Sequence, residues 1–438
     1  MTSEIAIMNN QAVALATDSA VTIDGGKKIY NSANKLFCLS KYHPVGIMIY
    51  GNATFMNIPY ETIIKMFRES LAETKCNTLD GYAKKFISFL NVNKIGVSKK
   101  QQEEYMELVI NIILNEIKKE VKKQWEQEIQ KNGKISPKKA KSICSIVIKH
   151  FIKKFSNNKL SCFSTKFRLN LEKKIGILFN KKIKEIFQQC PLSKSDLKML
   201  NEVINRAITR ANFPPWFSGI VIAGFGEKKI FPGIESYKIE GLIDGKLKYN
   251  RVKLGNISEK NNAAIIHFAQ SEMVSTFMEG VDPNYQKFKR SFLEQVFENY
   301  PDIIIKNSKK LNKLGKKDKD LIQSEFKSLS KQIYKNYTLK MEEFTRKNHV
   351  NQVLDVVGSL PKDELAAMAE SLVNLTSFKR RVTMTQETVG GPIDVAVISK
   401  GDGFIWIKRK HYFKPELNHH FFNNYFRTGG GKNEKNTK

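Results

Sequence analysis

The chain has 438 residues, 41% of them hydrophobic, which is enough to form one large domain or up to three small ones. Its 73 lysines and arginines outnumber its 43 acidic residues, so the formal charge is +30. No apolar run approaches the roughly eighteen residues of a membrane-spanning helix, and the first ten residues lack the pattern of a secretory signal. We therefore expect a globular, cytoplasmic protein without a membrane partner.

The strong positive charge has two interpretations. Clustered lysine and arginine side chains are typical of proteins that bind nucleic acid or another acidic surface. The excess here is mainly lysine, accompanied by many Asn, Ile and Phe residues, which is the bias of an AT-rich coding sequence. A solvated basic face is therefore the simpler interpretation, and a nucleic-acid or acidic partner is kept as an alternative.

The cysteines do not indicate a disulfide framework. Their number is odd, no CxxC pair occurs, and their positions are scattered: Cys38, Cys76, Cys144, Cys162 and Cys190. We expect reduced thiols.

The first part of the chain is predicted to form strands. "SEIAIM" and "QAVALAT" read as a hairpin about Asn9-Asn10, and a second turn is expected at 24–26. "NKLFCLS" and "VGIMIYGN" are two further strands. Apolar residues at helical spacing then predict a helix over 60–71 and another after 78, capped by Thr78 or Asp80.

Two lysine-rich stretches interrupt the strands with helical periodicity. Residues 95–212 are almost free of Gly and Pro and carry an apolar stripe from Met106 to Val121. Strands return after Pro214-Pro215, and a second helical stretch covers about 284–350. An amphipathic helix after Pro361 and two closing strands about the turn at 401–403 precede a polar tail. Strands and helices in separate runs favour an α+β layered fold.

Four segments resemble the N-terminal nucleophile hydrolases, specifically the proteasome β-subunits and their bacterial relatives. They are "TSEIAIMNNQAVALATDSAVT", "NKLFCLS" with "IMIYGNA", "SGIVIAGFGEKKIFPGIESYKIEG" and the stretch from "LPKDELAAMAE" to "VGGPIDVAVISKGDGFIWI". The resemblance covers about half of the chain and skips both helical stretches. It implies a four-layer αββα sandwich, in which two antiparallel sheets lie between helices, and a threonine peptidase activity.

The resemblance assigns the nucleophile to Thr2, exposed by removal of Met1. A Thr hydroxyl needs a base within hydrogen-bond reach. In this family the base is the terminal α-amine, whose ordinary pKa of about 7.7 to 8.0 leaves a neutral fraction at cytoplasmic pH. Asp18 would pair with a lysine and hold the amine end of the chain in place, although an Asp in a turn is commonly only a turn former.

Three further residues complete the implied site. Lys35 fits the catalytic lysine of the family, with Lys27 and Lys28 as rivals, and its charge would favour the developing negative charge. Gly51 would supply a backbone N–H to the oxyanion hole, because Gly lets the main chain approach the reacting carbonyl. Ser271 is the candidate for a supporting serine.

The sequence departs from the family before its Gly-Gly turn. Proteasome subunits carry an Asp and a Ser there, whereas this chain has Gln386 and Val389. Glu387 or Thr388 would compensate only in a shifted register. Loss of these supporting residues is typical of a catalytically inactive subunit, which is the first alternative to an active enzyme.

The sequence hypothesis is therefore a threonine-type peptidase acting on a peptide or protein, with Ile49 as a hint of an apolar preference. The alternatives are an inactive proteasome-like scaffold and a basic nucleic-acid-binding protein acting through its helical stretches; a homo-oligomer is left open.

No cofactor or metal is expected, because phosphate-loop, HExxH and GxSxG motifs are absent and His411, His419 and His420 lack ligand partners at metal spacing. The predicted hydrolase core has three parts, 1–94, 213–283 and 351–413. Two helical insertions, 95–212 and 284–350, separate these parts, and a flexible basic tail covers 414–438.

Overall fold

The structure is a computed structural model that describes residues 3–23, 28–159, 162–188, 190–252, 256–383 and 389–426. Fourteen strands and twelve α-helices are formed by these residues. Two five-stranded antiparallel sheets contain or adjoin the residues of the candidate site.

The first sheet combines the first two strands of the chain with the last two. Its strand order is β12-β1-β2-β13-β14, and every pair is antiparallel. The hairpin predicted at Asn9-Asn10 is present, and the strand after it is enclosed by β1 and β13, which explains its run of small residues. The strands are β1 (Ser3–Asn9), β2 (Ala12–Thr17), β12 (Ala263–Ala269), β13 (Asp394–Ser399) and β14 (Gly403–Lys408).

The second sheet has the order β11-β10-β9-β6-β5, again antiparallel throughout. Asp244 and Gly245 both have positive φ angles in the tight turn between β10 and β11, as their residue types predicted. The strands are β5 (Leu36–Cys38), β6 (Val45–Gly51), β9 (Ser218–Gly224), β10 (Gly233–Ile243) and β11 (Lys246–Val252).

Two short two-stranded ribbons flank β5 and β6 in the chain. One pairs β3 (Val21–Ile23) with β4 (Lys28–Tyr30), and the other pairs β7 (Thr54–Phe55) with β8 (Ile58–Pro59). The turn of the first ribbon, predicted at 24–26, lies outside the described residues.

The helices follow the predicted apolar periodicity, and five of them begin at a serine or threonine that accepts a hydrogen bond from the first turn. Pro283 and Pro137 occupy first-turn positions, where their missing N–H costs nothing. The helices are α1 (Tyr60–Leu71), α2 (Leu79–Asn91), α3 (Lys99–Asn132), α4 (Pro137–Ser156), α5 (Thr165–Ile186), α6 (Lys194–Thr209), α7 (Glu272–Glu279), α8 (Pro283–Asn307), α9 (Lys316–Thr345), α10 (Asn351–Ser359), α11 (Lys362–Arg381) and α12 (His419–Phe426), with a π-helical turn at Arg346–Val350 and 3-10 turns at Leu311–Lys313 and Pro415–Leu417.

Four clusters of buried apolar side chains hold these elements together. One joins the second sheet to α1 and α2, one joins the first sheet to α10 and α11, and one contains side chains from both sheets. The fourth unites α3, α4, α5 and α6. Alternation along β1 explains the division: Ile5 and Ile7 belong to the cluster with the helices, whereas Ala6 and Met8 belong to the cluster shared by the sheets.

The coarser fold prediction, an α+β chain with antiparallel sheets, is confirmed. The division into core and insertions stays a prediction.

Candidate active site

Asp18 lies directly after β2 and is completely buried. Its Oδ1 accepts hydrogen bonds from the backbone N–H of Ser3 at 3.0 Å and from Lys35 Nζ at 2.7 Å. Its Oδ2 accepts from the backbone N–H groups of Ala20 at 3.1 Å and Gly390 at 3.2 Å. Hydrogen bonds from four donors therefore offset the free-energy cost of removing the Asp18 carboxylate from water.

Lys35 precedes β5 and is 5% exposed. Besides Asp18, its ammonium donates to the carbonyl oxygen of Ala20 at 2.7 Å, and its own carbonyl accepts from the Ile49 N–H at 2.9 Å. Of the two rivals named from the sequence, Lys28 lies exposed on β4, and Lys27 lies outside the described residues. The structure thus brings Asp18 together with Lys35.

Gly51 ends β6 beside a cavity of about 250 Å³. Its φ is +78°, and a Cβ at this position would lie 2.4 Å from the carbonyl oxygen of Phe217, so only glycine fits. Lys35 and Ile49 line the same cavity. The cavity therefore presents a cation, a glycine backbone and several apolar side chains to anything that enters it.

Thr2, the predicted nucleophile, lies outside the described residues, but its neighbour Ser3 is well positioned to orient the chain. Ser3 is buried at the start of β1, its N–H donates to Asp18, and its carbonyl accepts from the Asp18 N–H at 3.1 Å. The peptide nitrogen that carries Thr2 is thus 3.0 Å from the same carboxylate oxygen that binds Lys35.

The other site residues that the sequence suggested make no direct contact with Asp18 or Lys35 that the structure describes. Ser271 is half-buried at the start of α7, two residues beyond Ala269, which pairs with Ser3 across β12 and β1. Val389 is buried next to Gly390, the residue that binds Asp18. Gln386, Glu387 and Thr388 lie outside the described residues. The roles of all the site residues stay predictions.

Comparison with known proteins gives only distant structural similarity. No family model and no curated protein matches the chain. One similar solved structure is a helical assembly of the Anbu complex from Pseudomonas aeruginosa, with 8% identity, TM-score 0.26 and coverage of 97% of this chain and 93% of that one. Another is Anbu (ancestral beta-subunit) from Yersinia bercovieri, with 8% identity, TM-score 0.28 and coverage of 97% and 94%.

These comparisons overturn the family assignment made from sequence motifs. The assignment to the N-terminal nucleophile hydrolases and the proteasome β-subunits was wrong, because no family model matches and the structural scores are too low to carry a fold or family. The physical reason is that the motifs were short strand and turn patterns. Gly-Gly turns, Asp-containing turns and alternating apolar strands recur wherever backbone geometry requires them.

Sequence reasoning missed Glu4. This residue is fully buried on β1, on the face that also presents Ala6 and Met8 to the other sheet, and neither carboxylate oxygen has a hydrogen-bond partner among the described residues. Burial raises the pKa of Glu4 well above its ordinary range, the charge of Lys35 opposes this rise, and that of Asp18 adds to it. The sequence feature that could have identified Glu4 is an acidic residue in a strand whose following residues are mainly apolar.

The part of the chain that the structure describes holds no group of three or more His, Cys, Asp or Glu side chains able to bind a metal. His411 instead packs against the rings of Phe413 and Phe422, with centroid distances of 5.1 and 5.8 Å. No helix in the described ranges has the length and apolar character needed to cross a bilayer. Localisation and the need for a cofactor stay predictions.

Proposed function

We propose that this chain is a threonine-type amidohydrolase acting on peptides or proteins, with Thr2 as its nucleophile. The observation that carries the proposal is the buried Lys35–Asp18 pair, which also binds the backbone N–H of Ser3, next to Thr2. The Gly51 cavity beside this pair supports it. The proposal rests on this geometry and not on membership of a family.

The first half of the reaction needs a free amine on Thr2. Hydrolysis of the peptide bond before Thr2 exposes that amine, which then accepts the proton of the Thr2 hydroxyl as Oγ attacks the substrate carbonyl carbon. Lys35 contributes a fixed positive charge that favours the negative charge developing in the reaction, and Asp18 holds both Lys35 and the Ser3 backbone. The two groups therefore position the nucleophile without undergoing covalent change.

The second half releases the products. The tetrahedral oxyanion accepts a hydrogen bond from the Gly51 N–H, and collapse breaks the C–N bond while the ammonium of Thr2 gives its proton to the leaving amine. The acyl group stays on Oγ as an ester. Water then attacks this ester, the same amine takes the proton of the water, and that proton returns to Oγ as the carboxylic acid leaves.

The walls of the cavity favour an apolar side chain next to the scissile bond. Ile49, Ala20 and Ala53 line it, with Lys35 and Glu61 as the charged exceptions. We therefore expect hydrolysis of amides that follow a medium-sized apolar residue in preference to those that follow an acidic one.

The test is turnover of a panel of fluorogenic peptide amides by protein whose Thr2 amine is verified to be free. We expect activity on apolar substrates in the parent protein and a loss of at least 100-fold in Thr2→Ala. Thr74→Ala, which removes a hydroxyl from an exposed loop threonine, is the control and should be fully active. Equal activity in Thr2→Ala and the parent would refute the proposed nucleophile.

Two alternatives would be recognised by other outcomes. A folded protein with a free Thr2 amine and no turnover on any amide would favour an inactive scaffold. The groove at Lys118, Lys119, Lys122 and Lys123 on α3 favours a nucleic-acid site, although three glutamates share it. Binding of nucleic acid that weakens steeply with salt and survives Thr2→Ala would support that second function.

The proposed architecture around this site has four layers. The cluster shared by the two sheets, together with one helix-bearing cluster on each outer face, supports the order helix, sheet, sheet, helix. In this arrangement α3–α6 and α8–α9 are additions between segments of the layered core.

A further inference from the structure

A second cavity, which we call the basic cleft, opens beside the Gly51 cavity. It has a volume of about 550 Å³, and its walls come from β5, from α1 and from the segment that follows β14. Asn34 and Glu61 line both cavities, and the Asn34 side chain donates to Glu61 at 3.2 Å. The basic cleft therefore adjoins the cavity that Lys35 and Gly51 line.

The basic cleft has an excess of positive charge. Its charged lining residues are Lys41, Lys65, Arg68, Arg409 and Lys410, against Glu61, Glu69 and Asp394. Two of these acids are paired with lysines of the cleft itself, since Lys65 contacts Glu61 at 2.7 Å and Lys410 contacts Asp394. An anion that enters the cleft therefore meets more positive than negative charge.

The three cations outside those two pairs lie around one point. Burial raises the pKa of the Cys38 thiol in the cleft wall, and the charges of Arg68, Arg409 and Lys41 each oppose that rise. A charge acts on a thiol in this way only when it lies nearby, because the Coulomb energy falls with distance. The three cations therefore converge on the part of the cleft next to Cys38.

Arg68 has a guanidinium donor without an acceptor. The residue is half-buried on α1, its Nε is buried, and no hydrogen-bond acceptor of the described residues reaches that atom. A buried N–H group without an acceptor costs free energy, which a bound acceptor would recover. Because a guanidinium presents its N–H groups as a planar fork, the acceptor that fits it best is a carboxylate.

Aromatic rings stand beside these cations. Arg409 lies over the Trp406 ring, with 4.9 Å between Cζ and the ring centroid, and the rings of Phe413 and Phe421 are 4.9 Å apart. Rings and cations together favour an organic ligand with both an apolar and a charged part over a bare inorganic anion. A glutamate side chain, with two methylene groups and a carboxylate, has both parts.

We propose that the basic cleft binds an acidic side chain of the substrate, a few residues away from the scissile bond, with Arg68 as its main ligand and Lys41 and Arg409 as supporting charges. This inference rests on the proposed hydrolytic function. The Gly51 cavity takes the apolar residue next to the scissile bond, and the basic cleft takes the acidic residue farther along the same peptide. The substrates are thus peptides that combine the two.

The first test is kcat/KM for pairs of fluorogenic peptides that share an apolar residue before the scissile bond. Each pair differs by Glu or Gln at one position, two to five residues away on either side. In the parent protein we expect Glu to be preferred about tenfold at one position, and less so as salt is raised. No preference for Glu at any position would overturn the proposal.

Arg68→Gln should reduce this preference to less than about twofold, whereas Arg68→Lys should keep part of it. The matched control is Arg168→Gln on α5, because Arg168 is also half-buried with an unsatisfied Nε but lines neither cavity. The control should keep the full preference. A preference for Glu that survives Arg68→Gln would overturn the assignment of Arg68.

Lys41 gives a second variant that does not put folding at risk, because its side chain is exposed. Lys41→Glu should lower the preference for Glu at least threefold and improve the peptide that carries Lys at the same position. Lys94→Glu, at an exposed lysine outside both cavities, is its control and should behave as the parent. An unchanged preference in Lys41→Glu would contradict a charge-based cleft.

Binding separates this inference from the proposed activity. Fluorescence anisotropy of the labelled Glu and Gln peptides with Thr2→Ala needs no turnover, and we expect tighter binding of the Glu peptide that is lost in Thr2→Ala/Arg68→Gln. Such binding by a protein that cleaves no amide would refute the proposed function and keep the cleft. Turnover by the parent with equal binding of both peptides would keep the function and overturn the cleft, and displacement of the Glu peptide by equimolar inorganic phosphate would assign it to free anions instead.

Discussion

At the scale of single residues, the candidate site is built around a buried ion pair that is fully hydrogen-bonded. Lys35 and Asp18 are 2.7 Å apart with side-chain exposures of 7% and 0%. Removing one partner of such a pair leaves the other charge buried and uncompensated, which costs much more than the loss of a surface pair.

Asp18→Asn should therefore destabilise the protein by about 3–5 kcal/mol in urea unfolding, and should also abolish amide turnover. Glu61→Gln is the matched stability control, because Glu61 and Lys65 are also 2.7 Å apart but exposed to solvent. Glu61→Gln should lower the free energy of unfolding by less than about 1 kcal/mol. Equal costs for the two substitutions would contradict the buried pairing.

Glu4 gives a prediction about pH. Its pKa is raised in the folded protein, whereas in the unfolded chain it is near the ordinary value of about 4.3. Above pH 4.3 the unfolded chain releases this proton while the folded protein retains it, so stability falls as pH rises toward the folded pKa.

Glu4→Gln removes this dependence. The stability of Glu4→Gln relative to the parent should be nearly constant below pH 4 and should improve as the pH rises above about 5, as measured by thermal unfolding in a pH series. Glu325→Gln, at an exposed position on α9, is the control for loss of one negative charge. A Glu4→Gln difference that does not change with pH would contradict an un-ionised Glu4.

At the scale of elements, the Gly-Gly turn before β13 fixes the acid of the site. Gly390 donates to Asp18 Oδ2 and accepts from the Ser19 N–H at 3.0 Å. Gly391 has a φ of +76°, and a Cβ there would lie 2.7 Å from the Cβ of Asn31. The turn thus requires glycine for both conformation and space.

Gly391→Ala should cost about 1–3 kcal/mol in stability and should lower turnover by displacing Gly390 from Asp18. Gly401→Ala is the control, because nothing lies within 4 Å of a Cβ at that turn position. The control should change stability by less than about 0.5 kcal/mol. Full stability and activity in Gly391→Ala would show that the turn does not position the acid.

Sequence patterns predicted these elements well because their determinants are local. The hairpin at Asn9-Asn10, the helix over 60–71 and the turn at Asp244-Gly245 all follow from alternation, helical spacing and positive-φ residue types. The pairing of Asp18 with Lys35 was expected only from the family resemblance, with Lys27 and Lys28 as rivals, and the contact of Gly390 with Asp18 was not predicted. That contact joins residues 372 positions apart, which no local pattern encodes.

At the scale of the whole molecule, one lysine connects the helical stretch of α3–α6 to the second sheet. Lys248 on β11 is 1% exposed, and its ammonium contacts Glu240 Oε2 at 2.7 Å and the carbonyl oxygens of Ala207 and Asn212 at 3.0 and 2.8 Å. Burial raises the pKa of Glu240, and the charge of Lys248 opposes that rise. The contact therefore couples the stability of these two parts.

Lys248→Met should destabilise the protein by about 3–5 kcal/mol, because Glu240 is left buried without its cation. The double variant Lys248→Met/Glu240→Gln should be less destabilised than the sum of the two single variants, as measured by urea unfolding. Strict additivity of the two changes would contradict a coupled buried pair.

Thr2 precedes Ser3, whose N–H binds Asp18, and is proposed here to be the reactive terminal residue. The most direct measurement is the intact mass of the purified protein with and without a peptide epoxyketone, which reacts with an adjacent amine and hydroxyl. We expect a chain that begins at Thr2 and gains the mass of one inhibitor molecule, mapped to Thr2 by peptide sequencing, and no gain in Thr2→Ala. A chain with a free Thr2 amine that stays unmodified, or an adduct mapped to another residue, would contradict it.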